Sequence, residues 1–201
     1  MRSGHIQRLK AQFAKVNTLR SRELEQHGFS RLQISDAVGA HVIERIGRGL
    51  YTLPNADVGE HHSLIHVVKS VPAARICLLS ALRFHDLTTQ NPHEVWIAIG
   101  RKDRKPSLRY PRLRVQRFSG PALNEGIEEH IKQGVTLRVY SVAKTVVDLF
   151  RYRNKVGIDV ALEALKEGWK EKRFTLKEID RLAGLCRMKR VMAPYLESLV
   201  A

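Results

Sequence analysis

Residues 18–54 constrain the fold of this chain more than any other part of its sequence. They predict two short helices that are joined by a glycine turn and followed by a β-hairpin. Gly28 suits the end of the first helix, because glycine adopts the left-handed conformation of a C-cap at little cost. Ser30 suits the N-cap of the second helix, since its hydroxyl accepts a hydrogen bond from a free backbone N–H. This order of elements predicts a winged helix-turn-helix.

Apolar spacing gives each predicted helix an inner and an outer face. In the first helix the inward positions are Leu19, Leu24 and His27. In the second helix the inward positions are Ile34, Ala37 and Val38. The outward positions of that helix are Arg31, Leu32, Ser35 and Asp36. The outward set is the predicted recognition surface.

Two runs of strand-forming residues, 41–46 and 50–53, flank the turn Gly47-Arg48-Gly49. Glycines on both sides of Arg48 favour a tight hairpin, because such turns need positive φ angles. A module of this kind places one helix in the major groove of DNA, and its hairpin tip reaches the adjacent backbone. The same elements also fit a surface for protein contact, and that alternative stays open here.

Charge favours a polyanionic partner. The chain has 35 Lys and Arg residues against 20 Asp and Glu residues, a formal net charge of +15. Residues 1–54 carry nine basic and four acidic residues, and residues 100–118 carry eight basic residues and one acid. A positive field of this size attracts nucleic acid without reading its sequence. The partner that we expect is double-stranded DNA.

The predicted DNA-binding residues fall into two groups. Arginines near the turn and on the wing are the candidates for phosphate contacts, and they are Arg20, Arg22, Arg45 and Arg48, with Arg2, Arg8 and Lys10 as further candidates. Polar residues at the start of the second helix are the candidates for base edges, and they are Ser30, Arg31, Gln33 and Ser35. In addition, Leu32 suits a thymine methyl group and Asp36 suits a cytosine amino group.

The rest of the chain predicts an α+β domain, so we expect a winged helix-turn-helix domain over residues 1–56 and a second domain over 57–201. An earlier helix is expected over residues 6–16, with Ile6, Leu9, Phe13 and Val16 in its buried stripe. In the second domain, helices are expected at 61–69 and 78–84, and strands at 94–99, 113–118 and 136–140. A C-terminal helical bundle then begins at the Ser141 cap, with further helices over about 157–171, 175–186 and 191–199.

Composition also limits the compartment and the class of protein. No apolar run approaches the roughly 18 residues of a membrane helix, and the N-terminus has no apolar signal core. Cys77 and Cys186 lie far apart and neither belongs to a CxxC motif. Isolated thiols of this kind predict a reducing cytoplasm without a disulfide framework. We therefore expect a cytoplasmic protein with no membrane partner, no cofactor and no structural metal.

Three stretches of the sequence resemble the AbiEi family of antitoxins. They are GFSRLQI and ERIGRGLYTLP in the N-terminal module and VYSVAKTVVDLFRYRNKVGIDVALEAL at residues 139–165. The resemblance implies an antitoxin of a type IV toxin–antitoxin system, whose N-terminal domain binds inverted repeats upstream of its own operon. It also implies that the second domain opposes a toxin of nucleotidyltransferase fold, without a tight complex between the two proteins. Autorepression would follow when two protomers on an inverted repeat occlude the promoter.

This chain departs from the family pattern on the recognition helix. The resembled proteins often carry several arginines there, whereas this helix presents Arg31 together with Leu32, Ser35 and Asp36. The departure implies that affinity depends on arginines outside the helix.

The KTVVD segment places Lys144 and Asp148 one helical turn apart. This spacing predicts an exposed or partly buried i,i+4 ion pair. Within the resemblance, the pair and the basic run after it are a candidate antitoxin surface, formed by Lys144, Asp148, Arg151, Arg153 and Lys155. A helix-stabilising pair beside a solvated face is the alternative, and it stays open.

Two alternative functions also stay open. A metal-dependent nuclease would need clustered carboxylates and a lysine, for which Glu94 and Asp103 with Lys102 or Lys105 are the candidates. Their spacing does not fit a carboxylate–x–lysine strand, so we expect no enzyme activity. A metal site formed by His62 and His66 would need a third ligand, for which Asp57 and Glu60 are the candidates. The other alternative is a transcription regulator that senses a ligand or partner unrelated to a toxin.

Overall fold

The structure is a computed structural model that describes residues 3–13, 16–54, 61–90, 92–108 and 110–200. Its contacts divide the chain into two compact units. The first unit comprises residues 1–72, 106–112 and 131–137, and the second comprises 73–105, 113–130 and 138–201. The predicted domain boundary at residues 56 and 57 lies outside the described residues and stays a prediction.

The first unit is a winged helix-turn-helix. Its elements are α1 (Ser3–Phe13), β1 (Thr18–Arg20), α2 (Ser21–Gln26), α3 (Arg31–Gly39), β2 (Glu44–Gly47), β3 (Leu50–Thr52) and α4 (His62–Ser70). Strand β3 lies between β1 and β2 and pairs with both in antiparallel fashion. The predicted helix–turn–helix and hairpin are both present.

The core of this unit follows most of the predicted inward positions. The buried apolar residues are Leu9, Phe13, Leu19, Leu24, Phe29, Ile34, Ala37 and Ile43. Two expectations are wrong. His27 is exposed, because the short helix α2 ends at Gln26 and His27 is its C-cap. Leu19 is buried from strand β1 rather than from a helix.

The predicted caps that fix the turn between α2 and α3 are confirmed. Gly28 has φ +84°, the left-handed conformation that glycine tolerates. The Ser30 hydroxyl accepts a hydrogen bond from the backbone N–H of Gln33 at 3.2 Å. The backbone N–H of Ser30 in turn donates to Gln33 Oε1 at 2.8 Å. This reciprocal pair is a capping box, and it sets where α3 begins.

After Pro72 the chain forms a mixed sheet and a set of helices, so the α+β prediction is confirmed. The elements are β4 (Arg75–Ile76), α5 (Leu78–Phe84), β5 (Val95–Gly100), β6 (Leu113–Phe118), α6 (Pro121–Asn124), β7 (Ile127–Lys132), β8 (Val135–Tyr140), α7 (Val142–Arg151), α8 (Arg153–Val156), α9 (Ile158–Lys170), α10 (Leu176–Leu185) and α11 (Lys189–Val200). The strand order is β6-β5-β4-β8-β7. None of the helices in the described ranges is long and apolar enough to cross a membrane.

Strands β5 and β6 are parallel, with Gly100 opposite Phe118 at their carboxyl ends. Leu113, Val115 and Phe118 are the apolar residues of β6, but they do not all share one face, because successive residues of a strand alternate between faces. The structure buries Gln116 and Phe118 and leaves Arg114 and Arg117 exposed.

Helix α7 is the centre of the second unit. It packs against α5, α9 and α10, and every residue from Val142 to Phe150 is buried. Ser141 caps α7 through the N–H of Lys144, as predicted, and Thr175 caps α10 through the N–H of Glu178. This burial on all sides governs the chemistry of the KTVVD segment.

Candidate nucleic-acid interface

The outward face of α3 presents the predicted side chains to solvent. Arg31, Leu32, Ser35 and Asp36 are all exposed, while Ile34 and Ala37 are buried beneath them. Leu32 is 72% exposed, which is unusual for a large apolar side chain. Because Ile34 and Ala37 fix the rotation of the helix, the exposed side chains point away from the core. This face is the candidate base-reading surface.

Arg31 is held by an acidic side chain of the preceding helix. Its Nε donates to Glu25 Oε1 at 2.7 Å, and the Arg31 side chain is 89% exposed. Ion pairs as exposed as this one contribute little to stability. A phosphate or a guanine edge can therefore replace Glu25 at little cost.

Gln33 is engaged within the unit rather than directed outward. Its Oε1 accepts from the N–H of Ser30, and its Nε2 lies 3.3 Å from His5 Nδ1 on α1. Base reading by Gln33 would break both contacts, and base reading by Ser30 would release its cap. Both residues stay predictions as DNA contacts, and the structure gives each a local role in positioning α3.

The wing holds its arginines on a turn that is anchored to α2. Arg45 and Arg48 are exposed, and Arg45 Nε donates to the Gly47 carbonyl at 3.2 Å. The N–H of Ser21 donates to the Gly49 carbonyl at 2.9 Å. Gly49 has φ +64°, and a Cβ there would lie 2.9 Å from Ser21 Oγ. The tip residue Arg48 is thus carried by a turn that only glycine fits.

The other predicted phosphate contacts are distributed unequally. Arg22 is exposed and lines a shallow groove with Glu25, Arg31 and Tyr51. Arg20 is half-buried, and its backbone N–H donates to Glu23 Oε2 at 2.6 Å. Arg8 is used inside the unit, because its guanidinium donates to the His27 carbonyl at 3.0 Å and lies 5.1 Å from the Phe29 ring centroid. Lys10 is exposed, and Arg2 lies outside the described residues.

Helix α4 adds a support that the sequence analysis missed. Lys69 is 8% exposed, and its ammonium contacts both the Thr18 carbonyl and the Glu23 carboxylate. Burial lowers the pKa of Lys69, while Glu23 opposes that shift. The contact ties α4 to both β1 and α2. A lysine that follows Ile65 and His66 on an otherwise apolar helix face was the only sequence signal.

The candidate antitoxin surface is different from the prediction. Lys144 and Asp148 are in contact, but both side chains are 0% exposed, so the expectation of an exposed or partly buried pair is wrong. Lys144 Nζ lies 4.1 Å from the Tyr140 ring centroid and 4.8 Å from that of Phe118. Burial raises the pKa of Asp148, and the Lys144 charge opposes that shift. The pair belongs to the interior and does not form part of a surface.

The basic run after α7 remains at the surface. Arg151 and Lys155 are exposed, and Arg153 is half-buried with its guanidinium on the Phe150 carbonyl at 2.9 Å. A role of these three side chains in antitoxicity stays a prediction.

The carboxylates of the nuclease hypothesis are far apart. Glu94 precedes β5 and Asp103 follows it, and a strand of this length separates its ends by roughly 20 Å. Glu94 lies 3.8 Å from Arg114, and Asp103 accepts from the N–H of Gly100 at 2.8 Å. Within the described ranges, no three His, Cys, Asp or Glu side chains are grouped to hold a metal ion. Asp57 and Glu60, the suggested partners of His62 and His66, lie outside those ranges.

Comparison with known proteins gives one finding for the N-terminal module. Residues 7–54 match the family model described as "Transcriptional regulator, AbiEi antitoxin". The matched range runs from α1 through β3 and so includes α3 and the wing. A search of curated proteins returned no match.

Proposed function

We propose that this chain, whose residues 7–54 match the family model of the AbiEi antitoxin transcriptional regulators, binds duplex DNA at an inverted repeat near its own promoter. The observation that carries the proposal is the combination of an outward α3 face with Arg48 at an anchored wing tip. Two protomers on the repeat occlude the promoter and repress the operon. The operon also encodes a nucleotidyltransferase-like toxin, which the second domain opposes in the cytoplasm without catalysis.

Recognition divides between the helix and the wing. In the major groove, Leu32 packs on a thymine methyl group, and Asp36 accepts from a cytosine amino group. Arg31 exchanges Glu25 for a guanine or a phosphate. Arg22, Arg45 and Arg48 neutralise backbone phosphates, which fixes the register of α3 on the duplex.

A mobility-shift titration against the upstream region of the gene tests this proposal. The titration is run at two salt concentrations, with a scrambled duplex as the control. We expect tight binding to the upstream region and binding weaker by about a thousandfold or more to the scrambled duplex. Equal binding to both duplexes would overturn the autorepressor proposal.

Replacing Arg48 by alanine is expected to weaken binding to the upstream region and to scrambled DNA by the same factor. The loss of one phosphate contact should lower the slope of log affinity against log salt by about 1. Arg190→Ala removes an equal charge from an exposed position on α11 and serves as the matched control. A slope that is unchanged in Arg48→Ala would show that the wing does not contact the backbone.

Leu32 is expected to read thymine through its methyl group. Replacing the contacted thymines by uracil should weaken binding of the unaltered protein about fourfold for each methyl group lost. Leu32→Ala should bind the thymine and uracil duplexes equally, whereas Ser35→Ala should retain the difference. If Leu32→Ala still distinguishes thymine from uracil, another side chain reads the methyl group.

Antitoxicity is tested apart from repression. The gene adjacent to this one should encode a nucleotidyltransferase-like protein, and its expression alone should arrest growth. Co-expression of the toxin with the Arg48→Ala variant of this chain should restore growth, because the second domain is intact in that variant. A neighbouring gene of another kind would favour the regulator that senses an unrelated ligand or partner.

A further inference from the structure

A short basic loop follows strand β5 in the second unit. We call residues 101–105 the basic loop, and it consists of Arg101, Lys102, Asp103, Arg104 and Lys105. All five residues are exposed. The loop begins the crossover from β5 to the parallel strand β6, so it starts at the carboxyl end of both strands. Nothing in the helix-turn-helix proposal uses these four positive charges.

The backbone of the basic loop is fixed from two sides. Arg117 Nη1 on β6 donates to the carbonyls of Gly100, Arg101 and Asp103, at 3.1, 2.7 and 2.9 Å. The Asp103 carboxylate accepts from the N–H of Gly100 at 2.8 Å. A Cβ at Gly100 would lie 2.9 Å from that carboxylate oxygen, so the turn depends on a glycine. The only acid of the loop is therefore used to hold its turn.

The four cations of the loop lie within five consecutive residues, whereas the cations of the helical part are spread over several elements. Some of the helical cations form ion pairs with acidic side chains, namely Lys170, Arg173, Arg181 and Lys189, and others, such as Lys166, Lys177 and Arg190, form none with the described residues. Across the described residues, none of the four loop cations has an acidic partner within salt-bridge distance. Four positive charges that have no acidic partner among the described residues thus lie on one fixed turn.

We propose that the basic loop is a second DNA-binding site, which grips the phosphate backbone of a duplex without reading its sequence. A fixed backbone lowers the entropy cost of placing several cations along a phosphate chain. Residues 101–105 include no aromatic side chain on which unpaired bases could stack, which favours a duplex over single-stranded RNA. The proposal deepens the proposed function, because it gives the second unit a role on DNA.

The test compares two triple variants of the full chain that lose the same charge. The loop variant is Lys102→Gln/Arg104→Gln/Lys105→Gln, and the control is Lys166→Gln/Lys177→Gln/Arg190→Gln, whose positions are exposed and scattered over α9, α10 and α11. Binding to a fluorescent duplex of random sequence is titrated with salt. Each phosphate contact contributes about 0.9 to the salt slope, so the loop variant should lower the slope by about 2 to 3. The control should leave the slope unchanged.

Three results would overturn the proposal. The first is an equal effect of both triple variants, which would make the loop part of a diffuse field. The second is an unchanged slope in the loop variant. The third is a loop variant that loses binding to a single-stranded RNA of equal length but keeps its binding to the duplex. Unfolding followed by circular dichroism confirms that both variants are folded.

Arg117→Lys separates the fixed turn from simple charge. Lysine keeps the positive charge, but its ammonium lies one bond nearer the main chain than Arg117 Nη1 and so falls short of the three carbonyls that Nη1 reaches. We expect duplex affinity to fall about threefold or more at constant net charge. Affinity equal to that of the unaltered protein would show that the fixed turn is irrelevant and would overturn that part of the proposal.

Failure of this inference is distinguishable from failure of the proposed function. If Arg48→Ala lowers affinity and the loop variant does not, the loop site is wrong and the winged-helix proposal stands. If the loop variant lowers affinity but the upstream region is bound no better than scrambled DNA, the loop site stands and autorepression is wrong.

Discussion

Replacing Lys144 by alanine is expected to lower the free energy of unfolding of the second unit by about 3–5 kcal/mol. The loss is large because Lys144 and Asp148 are both 0% exposed. Removal of the ammonium leaves the Asp148 carboxylate in an apolar interior without its partner. It also removes a cation from the faces of Tyr140 and Phe118.

Tryptophan fluorescence measures this effect selectively. The chain has two tryptophans, Trp96 and Trp169, and both lie in the second unit, so their emission during urea unfolding reports on that unit. Arg151→Ala, at the exposed end of the same helix, is the control and should change stability by less than about 1 kcal/mol. The double variant Lys144→Met/Asp148→Leu should regain most of the loss, because an apolar pair of similar size needs no charge compensation. A loss below about 1 kcal/mol in Lys144→Ala would show that water reaches the ammonium.

For the pair Lys144 and Asp148, the sequence predicted the contact between the side chains but not their burial. A spacing of i,i+4 predicts contact between Lys144 and Asp148 equally well on a solvated helix and on a buried one. Burial is decided by residues that are distant in sequence, since Phe118 of β6 and the helices around α7 enclose the pair. The contact was therefore predictable, but its position in the interior was not.

Local signals predicted more than long-range ones. The glycine and serine at the α2–α3 turn were found from sequence because caps depend on a few neighbouring residues. Ser30 and Gln33 also have the spacing of a capping box, and this spacing predicts the reciprocal hydrogen bonds that the structure shows. Strand β7 was missed because the run IEEHIK buries none of its side chains fully and so lacks an apolar alternation. The basic loop was visible as a charge run, but only the contacts of Arg117 reveal its fixed turn.

His66 is expected to make the winged-helix unit sensitive to acid. The residue is 1% exposed, and its Nε2 has no hydrogen-bond partner within the described part of the chain. A Cβ at Gly47 on the wing would lie 3.2 Å from that nitrogen, so the ring packs directly beneath the hairpin. Burial lowers the pKa of His66 from 6.5 to about 4, and the neighbouring His62 adds to the effect.

The direction of the pH effect follows from proton uptake. Between pH 6.5 and about 4 the unfolded chain binds a proton at His66 that the folded unit excludes, so stability falls as the pH falls through this window. The difference between these two pKa values corresponds to a change of about 3 kcal/mol in the free energy of unfolding. Above pH 6.5 the neutral His66 makes its full contribution to the stability of the unit, and below about pH 4 this contribution is lost.

Hydrogen exchange of the amides of β3 measures this loss in the first unit. In the unaltered protein their protection should decrease between pH 6.5 and 4, after correction for the intrinsic exchange rate. His66→Met fills the same apolar site without a titrating group and should remove most of that decrease, whereas the exposed His41→Gln should retain it. Carboxylates titrate in both variants alike, so the difference between the curves isolates His66.

Because the ring supports Gly47, operator binding should weaken in the same pH window and should recover in His66→Met. If His66→Met shows the same pH dependence as the unaltered protein, His66 is not the acid-sensitive group of the wing.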